Sequence, residues 1–357
     1  MKTLFVGDLH LLEKELSTTK GMIETSTQML EGIKNVLLAD PEIKMVVFEG
    51  DIQHATPKSK RTLRETTIWK KILGEIGSIV LERIPKYSVI NRTDINENKL
   101  PYKPLPLFTV KGNHDVEKTM RSKLDDYNYT FFDDLLYTGT LQNPRGFMFK
   151  DAGKVYYIQL NNYGEVAEPI DSRIKELGNE VKTIKVLHDT VKAPSSPTWF
   201  NVMAESDYYV AEKVLGDCDL AICGHIHEPL APVKVQGDGT LGTKSTVFMQ
   251  TGSMGRTSFT DENMRDYGYC TLVDTTDGIK VSELKIPLMP VTEYFNWKQI
   301  NLNETKKEAI RHGQMFNLNF ERTNLVHTDP KEDVENLTLD SRVKENTIKA
   351  IEHAEEN

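Results

Sequence analysis

Cysteine is scarce in this 357-residue sequence. The three cysteines, Cys218, Cys223 and Cys270, form no Cys-x-x-Cys pair. A disulfide framework needs several spaced cysteines and a thiolate zinc site needs close pairs, so we expect neither. We expect instead buried thiols that pack as small apolar side chains.

Long apolar runs and excess positive charge are also missing. The longest apolar runs have the length of single strands, and the first segment, "MKTLFVGDLH", meets an acid at Asp8, too early for the apolar part of a signal peptide. We therefore expect a cytoplasmic protein without a membrane segment. The formal net charge of -9 argues against a protein that coats nucleic acid with its whole surface, so a polyanion would be met by a local basic patch.

Strand-like and helix-like segments alternate through the first two hundred residues or so. Apolar residues spaced three or four apart predict amphipathic helices over residues 22–37 and 68–80. Short β-branched runs that end in polar residues or glycine predict buried strands, and the alternation indicates an α/β fold with crossover connections. These runs are "KTLFVGD", "MVVFEGD", "PLFTVKGN", "VYYIQLNN", "TIKVLHD" and "DLAICGH".

The pattern changes after Gly224. Three further strands are predicted in "STVFMQTG", "GYCTLVDT" and "IKVSELKIPL", and the chain from about Val291 onward is charged and helix-prone. Because 357 residues exceed one minimal core, we predict a first domain over residues 1–290 and a smaller region over residues 291–357.

Polar side chains gather where the predicted strands end. Any one of these short motifs is more often a turn or a cap than a ligand, but five in succession favour a shared site, because ligands bind at the carboxyl ends of strands in open α/β sheets. The residues are Asp8 and His10 in "GDLH", Asp51 and His54 in "EGDIQH", Asn113, His114 and Asp115 in "KGNHD", His188 in "VLHD", and His225 and His227 in "GHIH".

These residue types predict a metal centre. Imidazole nitrogen, carboxylate and amide oxygen without thiolate suit Mn, Fe or Zn, and the donors are numerous enough for two ions that share a carboxylate. Two such ions clamp a phosphoryl group and lower the pKa of bound water. The predicted chemistry is metal-assisted phosphoester hydrolysis.

The order Asp-x-His, Gly-Asp-x-x-His, Gly-Asn-His-Asp, His, Gly-His-x-His resembles the calcineurin-like metallophosphoesterases over about residues 1–255. The resemblance implies an α/β fold, a four-layer αββα sandwich with a smaller C-terminal capping region and helical tail. It also implies two divalent ions, with Mn favoured and Fe, Zn or Mg as alternatives. One ion would be held by Asp8, His10, Asp51 and His227, and the other by Asp51, Asn113, His188 and His225.

The same resemblance assigns the remaining polar residues to catalysis. His114 would act as general acid on the leaving group, and Asp115 would accept a hydrogen bond from the other ring nitrogen of His114 and so fix its tautomer. His54, three residues after the bridging Asp51, would be a further catalytic residue.

Three segments resemble the SbcD-like double-strand-break repair nucleases in particular: "GDIQH", "MQTGSMGRTSF" and "ELKIPLMPVTEYF". This implies an exonuclease or endonuclease acting in DNA repair, recombination or DNA processing. The implied partners are DNA, an ABC-type ATPase subunit of the SbcC type and a second copy in a homodimer.

A basic segment, "PKSKRTLRETTIWKK", supports DNA as substrate, since its cations could grip a backbone that leads into the site. A solvated helix face explains it equally well. The DNA-binding candidates are Lys58, Lys60, Arg61, Arg64 and Arg256.

Two other functions stay open. A phosphodiesterase or phosphatase for a small nucleotide or other small phosphoester would share every metal ligand without needing the basic segment. A non-catalytic DNA-binding or scaffold protein would have lost its metals. Residues 86–106 are predicted to be an insertion that reshapes the approach to the site.

Overall fold

The computed structural model describes residues 1–12, 17–54, 63–91, 105–115, 131–177, 180–256 and 263–301, together with 303, 344 and 349. The chain divides into two compact units, Met1–Trp297 and Lys298–Asn357. The elements named below belong to the first unit. The predicted boundary near residue 290 and the capping role of residues 291–357 stay predictions.

The first sheet has five strands in the order β14-β13-β1-β2-β4. β1, β2 and β4 run parallel to one another, whereas β13 pairs antiparallel with both β1 and β14. Strands are numbered in chain order, and those of this sheet are β1 (Lys2–Val6), β2 (Ile43–Phe48), β4 (Leu107–Thr109), β13 (Tyr267–Asp274) and β14 (Lys280–Pro287).

The second sheet has seven strands in the order β11-β12-β10-β7-β6-β5-β3. Its centre is parallel from β6 to β12, and its two edges are antiparallel. Its strands are β3 (Tyr87–Ile90), β5 (Gly146–Asp151), β6 (Lys154–Asn161), β7 (Val181–His188), β10 (Leu220–Gly224), β11 (Leu230–Gln236) and β12 (Ser245–Gln250).

The helices cover the outer faces of the two sheets. The first is amphipathic as predicted, because Met29, Leu30, Ile33 and Leu37 recur on one face and are all buried. A separate ribbon pairs β8 (Val191–Lys192) with β9 (Tyr209–Val210). The helices are α1 (Met22–Ala39), α2 (Leu63–Leu81), α3 (Phe131–Tyr137), α4 (Ser172–Lys175), α5 (Ala211–Val214) and α6 (Val291–Tyr294).

Three apolar clusters build the layers. Successive residues of β1 point in opposite directions, so that Phe5 joins the cluster between the sheets while Leu4 and Val6 join the cluster beneath α1 and α2. A third cluster, which includes Ile174 of α4 and Val214 of α5, covers the outer face of the second sheet. The order helix, sheet, sheet, helix is the predicted αββα sandwich, and the predicted fold class is confirmed.

Two features of the fold differ from the sequence analysis or add to it. The start of the predicted insertion forms β3, which pairs with β5 at the edge of the second sheet, while residues 92–104 lie outside the described part of the chain. Among the described residues no helix is long and apolar enough to cross a bilayer. The predicted location in the cell stays a prediction.

Candidate metal centre

Five parallel strands of the two sheets deliver the predicted ligands to one place. In the first sheet Asp8 follows β1, Asp51 follows β2 and Asn113 follows β4. In the second sheet His188 is the last residue of β7 and His225 comes directly after β10. Because parallel strands end at the same edge of a sheet, side chains that are distant in sequence converge there.

The first group of donors combines Asp51, His188 and His225, whose ligand atoms lie within 4.8 Å of one another. The amide oxygen Oδ1 of Asn113 completes it, at 3.2 Å from Nε2 of His188 and 3.0 Å from Nδ1 of His225. These four residues are the set predicted for one ion.

The second group combines Asp8, His10 and His227, again with ligand atoms within 4.8 Å of one another. The Nε2 atoms of His10 and His227 are 2.9 Å apart, and Nε2 of His227 is 3.7 Å from Oδ2 of Asp8. Oδ2 of Asp51 lies 3.8 Å from Nε2 of His10, so this carboxylate faces both groups, as a bridging ligand would.

The tautomer of His188 indicates that a cation fits the first group. Its Nδ1 lies 2.7 Å from the carbonyl oxygen of Glu49, which can only accept, so Nδ1 carries a hydrogen. Nε2 then faces Oδ2 of Asp51 at 3.3 Å and the Asn113 oxygen, both of them electron-pair donors. A proton or a metal ion must hold these donors together, and the donor set suits a hard or borderline divalent ion.

Burial and charge set the pKa values of these groups. Burial raises the pKa of Asp8 to about 7, although the nearby His188 opposes the rise. Burial lowers the pKa of His188, but the carboxylates of Asp51 and Asp8 outweigh burial and raise it to about 10. Burial opposes ionisation of Asp51 as well, yet His188 and His10 hold its pKa below the usual value. Burial and His188 lower the pKa of His225 to about 3.

The backbone is strained where ligands leave the strands. Four described non-glycine residues have positive φ, and three of them are predicted ligands: His10 at 49°, Asp51 at 44° and His225 at 78°. Such conformations cost about 1 kcal/mol or more each and persist only where the surrounding structure imposes them. The turn after each strand therefore aims the side chain at the cluster at a cost in local stability.

His54 and His114 lie next to the two donor groups. Their rings stack with centroids 4.5 Å apart and planes inclined by 18°. Both rings meet the His10 ring edge to face, and Nδ1 of His54 is 3.4 Å from Nδ1 of His10. With His10 they form a third group whose ring nitrogens lie within 4.8 Å of one another. The predicted catalytic pair is thus brought against the metal ligands.

Asp115 does not contact the His114 ring as predicted. Its Oδ2 accepts from the backbone N–H of Gly112 at 2.9 Å and its Oδ1 from that of Gln53 at 3.1 Å. Burial raises the pKa of the Asp115 carboxyl to about 8. Asp115 therefore ties the loop after β4 to the loop after β2, and it positions His114 through the backbone.

Of the predicted DNA-binding residues, only the side chain of Arg256 lies in the described part of the chain, so the others stay predictions. Lys58, Lys60, Arg61 and the side chain of Arg64 lie outside the described residues. Arg256 is 1% exposed, and its guanidinium donates to the carbonyls of Arg265 and Met289, each at 2.7 Å, and lies 4.0 Å over the ring of Tyr294. The prediction for Arg256 is wrong, because a side chain buried in these contacts is not available to a DNA backbone.

Two aromatic residues at the cluster were missed in the sequence. Trp199 lines a cavity of about 410 Å³ together with His225, Ile226, His227 and Glu228. The ring of Tyr163 lies 5.7 Å from that of His225. The available signal was the "PTWFN" segment, an aromatic pair in a polar loop that follows the "VLHD" motif.

Comparisons with known proteins bear on this geometry. The family model of calcineurin-like phosphoesterases matches residues 1–229, more than half of the chain. No curated protein matches the chain. Among solved structures the chain is similar to one described as a 5'-nucleotidase precursor from Thermus thermophilus, with 10% identity and a TM-score of 0.43 over 87% of this chain. The match spans 59% of that protein, so its substrate does not bear on this one. The family match carries the conclusion: the chain belongs to the calcineurin-like phosphoesterase family, whose members are metal-dependent phosphoester hydrolases.

Proposed function

We propose that this protein is a two-metal phosphodiesterase that cuts DNA, with Mn as the favoured ion, in the manner of the SbcD-type nucleases. The observation that carries the proposal is the His54–His114 pair, which lies beside both donor groups and is not needed to fill either. A diester with a sugar oxygen as leaving group needs a proton at the moment of bond cleavage, and an imidazole can supply it.

Two groups of side chains would hold the two ions. When bound, the two ions supply charge to clamp the phosphoryl oxygens and lower the pKa of the attacking water. Asp8, His10 and His227 with Asp51 would hold one ion, and Asp51 with Asn113, His188 and His225 would hold the other.

His114 donates its proton to the departing oxygen. His54 stacks on the His114 ring and keeps it oriented, and Asp115 fixes the loop that carries His114 through the amides of Gly112 and Gln53. The three residues together supply an oriented acid, which is typically worth 10² to 10⁴ in rate.

DNA as substrate is supported by the "GDIQH" motif, which places His54 against His114, and by the basic segment over residues 57–71. An ATPase subunit of the SbcC type and a homodimer belong to the same proposal.

Charge reversal tests the DNA proposal. We expect the triple variant Lys60→Glu, Arg61→Glu, Arg64→Glu to bind DNA more weakly and with a flatter salt dependence, each lost phosphate contact removing about one unit of slope. Three exposed lysines elsewhere, Lys150, Lys154 and Lys175, provide a control triple reversal with the same change in net charge.

Each outcome of that experiment is decisive. Mn-dependent cleavage of single- or double-stranded DNA that is lost in the first triple variant and kept in the control supports a nuclease. Cleavage of small diesters without cleavage of DNA would overturn the nuclease proposal.

A second candidate is a phosphodiesterase for a small nucleotide. The cavity beside His225 and His227, about 410 Å³, is within the size range of small-molecule sites. If this second function is correct, the protein hydrolyses small nucleotide diesters with a higher kcat/KM than DNA. Both triple charge-reversal variants would then keep the parent's kcat/KM on the small diesters.

A further inference from the structure

Trp199 forms one wall of the cavity next to the predicted ligands His225 and His227. The indole is 38% exposed, although it is one of the largest apolar side chains a protein can bury. Its Nε1 donates to Oε2 of Glu228 at 3.3 Å, so the ring is tethered to the loop that follows His227.

The segment that carries Trp199 is well anchored. Trp199 belongs to a 3-10 helix over Thr198–Val202, and its ring stacks on that of Phe200 with centroids 4.1 Å apart and planes inclined by 19°. Phe200 is 1% exposed, and the β8–β9 ribbon closes the base of the segment. One face of Trp199 is thus supported from below by a buried ring.

Exposed aromatic rings are concentrated at this site. Among the large hydrophobic side chains that are exposed in the described part of the chain, three are aromatic: Tyr137, Tyr163 and Trp199. The Tyr163 ring, 50% exposed, lies 5.7 Å from the His225 ring and 6.4 Å from the His188 ring. Two of the three therefore flank the predicted metal ligands, where a phosphodiester would be held.

The charge in the cavity indicates which part of a substrate enters it. The carboxylate of Glu228 repels a phosphate, whereas it can accept a hydrogen bond from an amino group. The ions that His225 and His227 would help to hold would attract the phosphate. The cavity therefore suits an uncharged, planar group attached to the phosphate.

We propose that Trp199 is a stacking platform for the nucleobase next to the scissile phosphate, and that Tyr163 receives a neighbouring base, so that the preferred substrate is an unpaired nucleotide strand. The proposal rests on the proposed phosphodiesterase function and names its substrate class. The face of a base is accessible for stacking on a protein ring only when the base is unstacked from its own strand, as in single strands, ends and loops.

Two esters with the same leaving group isolate the base. Thymidine 5'-(4-nitrophenyl phosphate) carries a base and methyl 4-nitrophenyl phosphate carries none. We expect the parent protein to show a lower KM for the thymidine ester, and Trp199→Ala to reduce the KM ratio of the methyl ester to the thymidine ester about tenfold, since stacking on an aromatic ring is worth this much per base. Trp199→Phe, which keeps a ring, should restore most of the ratio.

The matched control is Tyr137→Ala, which removes a ring that is 65% exposed on α3. It should keep the parent KM ratio. A Tyr137→Ala variant that lowers the ratio as much as Trp199→Ala would overturn the proposal, because the loss would then belong to any exposed ring.

A binding measurement provides a readout that is independent of turnover. A base stacked on Trp199 should quench its fluorescence during titration with single-stranded oligo(dT), and Trp199→Phe should lose this quenching. Tyr163→Ala should weaken oligo(dT) binding several-fold. A blunt duplex of the same length should quench much less, and equal quenching by duplex would contradict the assignment to unpaired bases.

The failures of the two proposals are distinguishable. If the parent protein hydrolyses neither ester with Mn and binds no oligo(dT), the proposed function itself fails. If it hydrolyses both esters with equal KM, and Trp199→Ala leaves that equality in place, the phosphodiesterase stands and the base platform is wrong. If Trp199→Ala lowers the rate of hydrolysis of both esters by the same factor, Trp199 supports the metal ligands and does not bind the base.

Discussion

The rings of His54 and His114 stack at 4.5 Å, although one follows β2 and the other follows β4. Both rings also meet the edge or face of His10, a predicted metal ligand. This contact places a proton-carrying group at the border of the metal centre and restricts its rotation, which is what a general acid needs.

Replacing His114 with Gln keeps a polar side chain but removes the imidazole that can carry and release a proton. We expect His114→Gln to retain its metal content and to cleave DNA at least about a hundredfold more slowly, because general acid catalysis is worth 10² to 10⁴ in rate. The measurements are metal analysis of the purified protein and single-turnover cleavage.

A diester with a nitrophenolate leaving group is the control, since that group departs without protonation. His114→Gln should recover much of the lost rate on it, whereas Asp51→Ala should recover none because the shared ligand is gone. If His114→Gln loses metal stoichiometrically, His114 is a ligand and the proton-donor assignment is wrong.

Gly112 is required by the close approach of two loops. A Cβ at this position would lie 2.0 Å from Oδ1 and 2.4 Å from the backbone nitrogen of Asp51. We expect Gly112→Ala to displace the Asp51 carboxylate, the predicted shared ligand, and to weaken metal binding about 10- to 100-fold, as loss of a ligand's support does. Calorimetric titration with Mn measures the effect.

Gly74 serves as the matched control, because a Cβ there meets nothing within 4 Å and the residue lies inside α2. Gly74→Ala should leave Mn affinity at the parent value and raise the free energy of unfolding by up to about 1 kcal/mol. Parental Mn affinity in Gly112→Ala would show that the loop relaxes without moving Asp51.

Arg256 should contribute to stability and not to DNA affinity. Truncation removes the donor to the carbonyls of Arg265 and Met289, the first of them in a buried contact. We expect Arg256→Ala to lower the free energy of unfolding by about 2 to 4 kcal/mol, measured by urea denaturation. The salt slope of DNA binding should not change. A slope reduced by about one unit with parental stability would restore Arg256 as a phosphate contact.

Lys185 and Asp217 form a buried ion pair at 2.7 Å, with side chains 0% and 5% exposed. Lys185→Met leaves the carboxylate buried without its partner and should destabilise the fold by about 3 to 5 kcal/mol. The double variant Lys185→Met, Asp217→Asn should recover part of this loss, because the uncompensated charge is removed while Ile170 N–H keeps an acceptor. Additive losses in urea denaturation would mean that the two charges do not stabilise each other.

Asp219 should make the stability of the fold depend on pH in the acidic range. Burial raises its pKa, but hydrogen bonds from Lys244 and Thr183 outweigh burial and hold the pKa below the usual 3.8. The stabilisation is present above about pH 4 and is lost as pH falls through the folded pKa. We expect Asp219→Asn to melt at a lower temperature than the parent at pH 7, and the difference between their melting temperatures to become smaller below pH 4. A difference that does not depend on pH would show that the charge of Asp219 contributes nothing to stability.

The α/β class and the candidate polar residues followed from local patterns in the chain, whereas the four-layer sandwich and the division of the ligands between two ions came from the resemblance to calcineurin-like phosphoesterases. Each predicted ligand lies at or soon after the end of an apolar run of strand length, and the rule that parallel strands end at a common edge needs no knowledge of the packing. Asp8, Asp51 and His225 could therefore be grouped before any distance was known. The strands of both sheets that carry them were predicted for the same reason, since a buried strand is a continuous β-branched run.

The partners of individual polar groups were decided by tertiary packing. The resemblance implied a contact between Asp115 and the His114 ring, but in the fold the Asp115 carboxylate accepts from the backbone amides of Gly112 in its own loop and of Gln53 in the loop after β2. Arg256 has the charge of a DNA contact, and only the packing of Tyr294 against it shows that it is buried. Trp199 carries no motif at all, and its place at the metal centre depends on how its loop folds back. Sequence spacing determines which strand end carries a side chain, whereas burial and hydrogen-bond partners depend on segments that are distant along the chain and meet only when the two sheets pack.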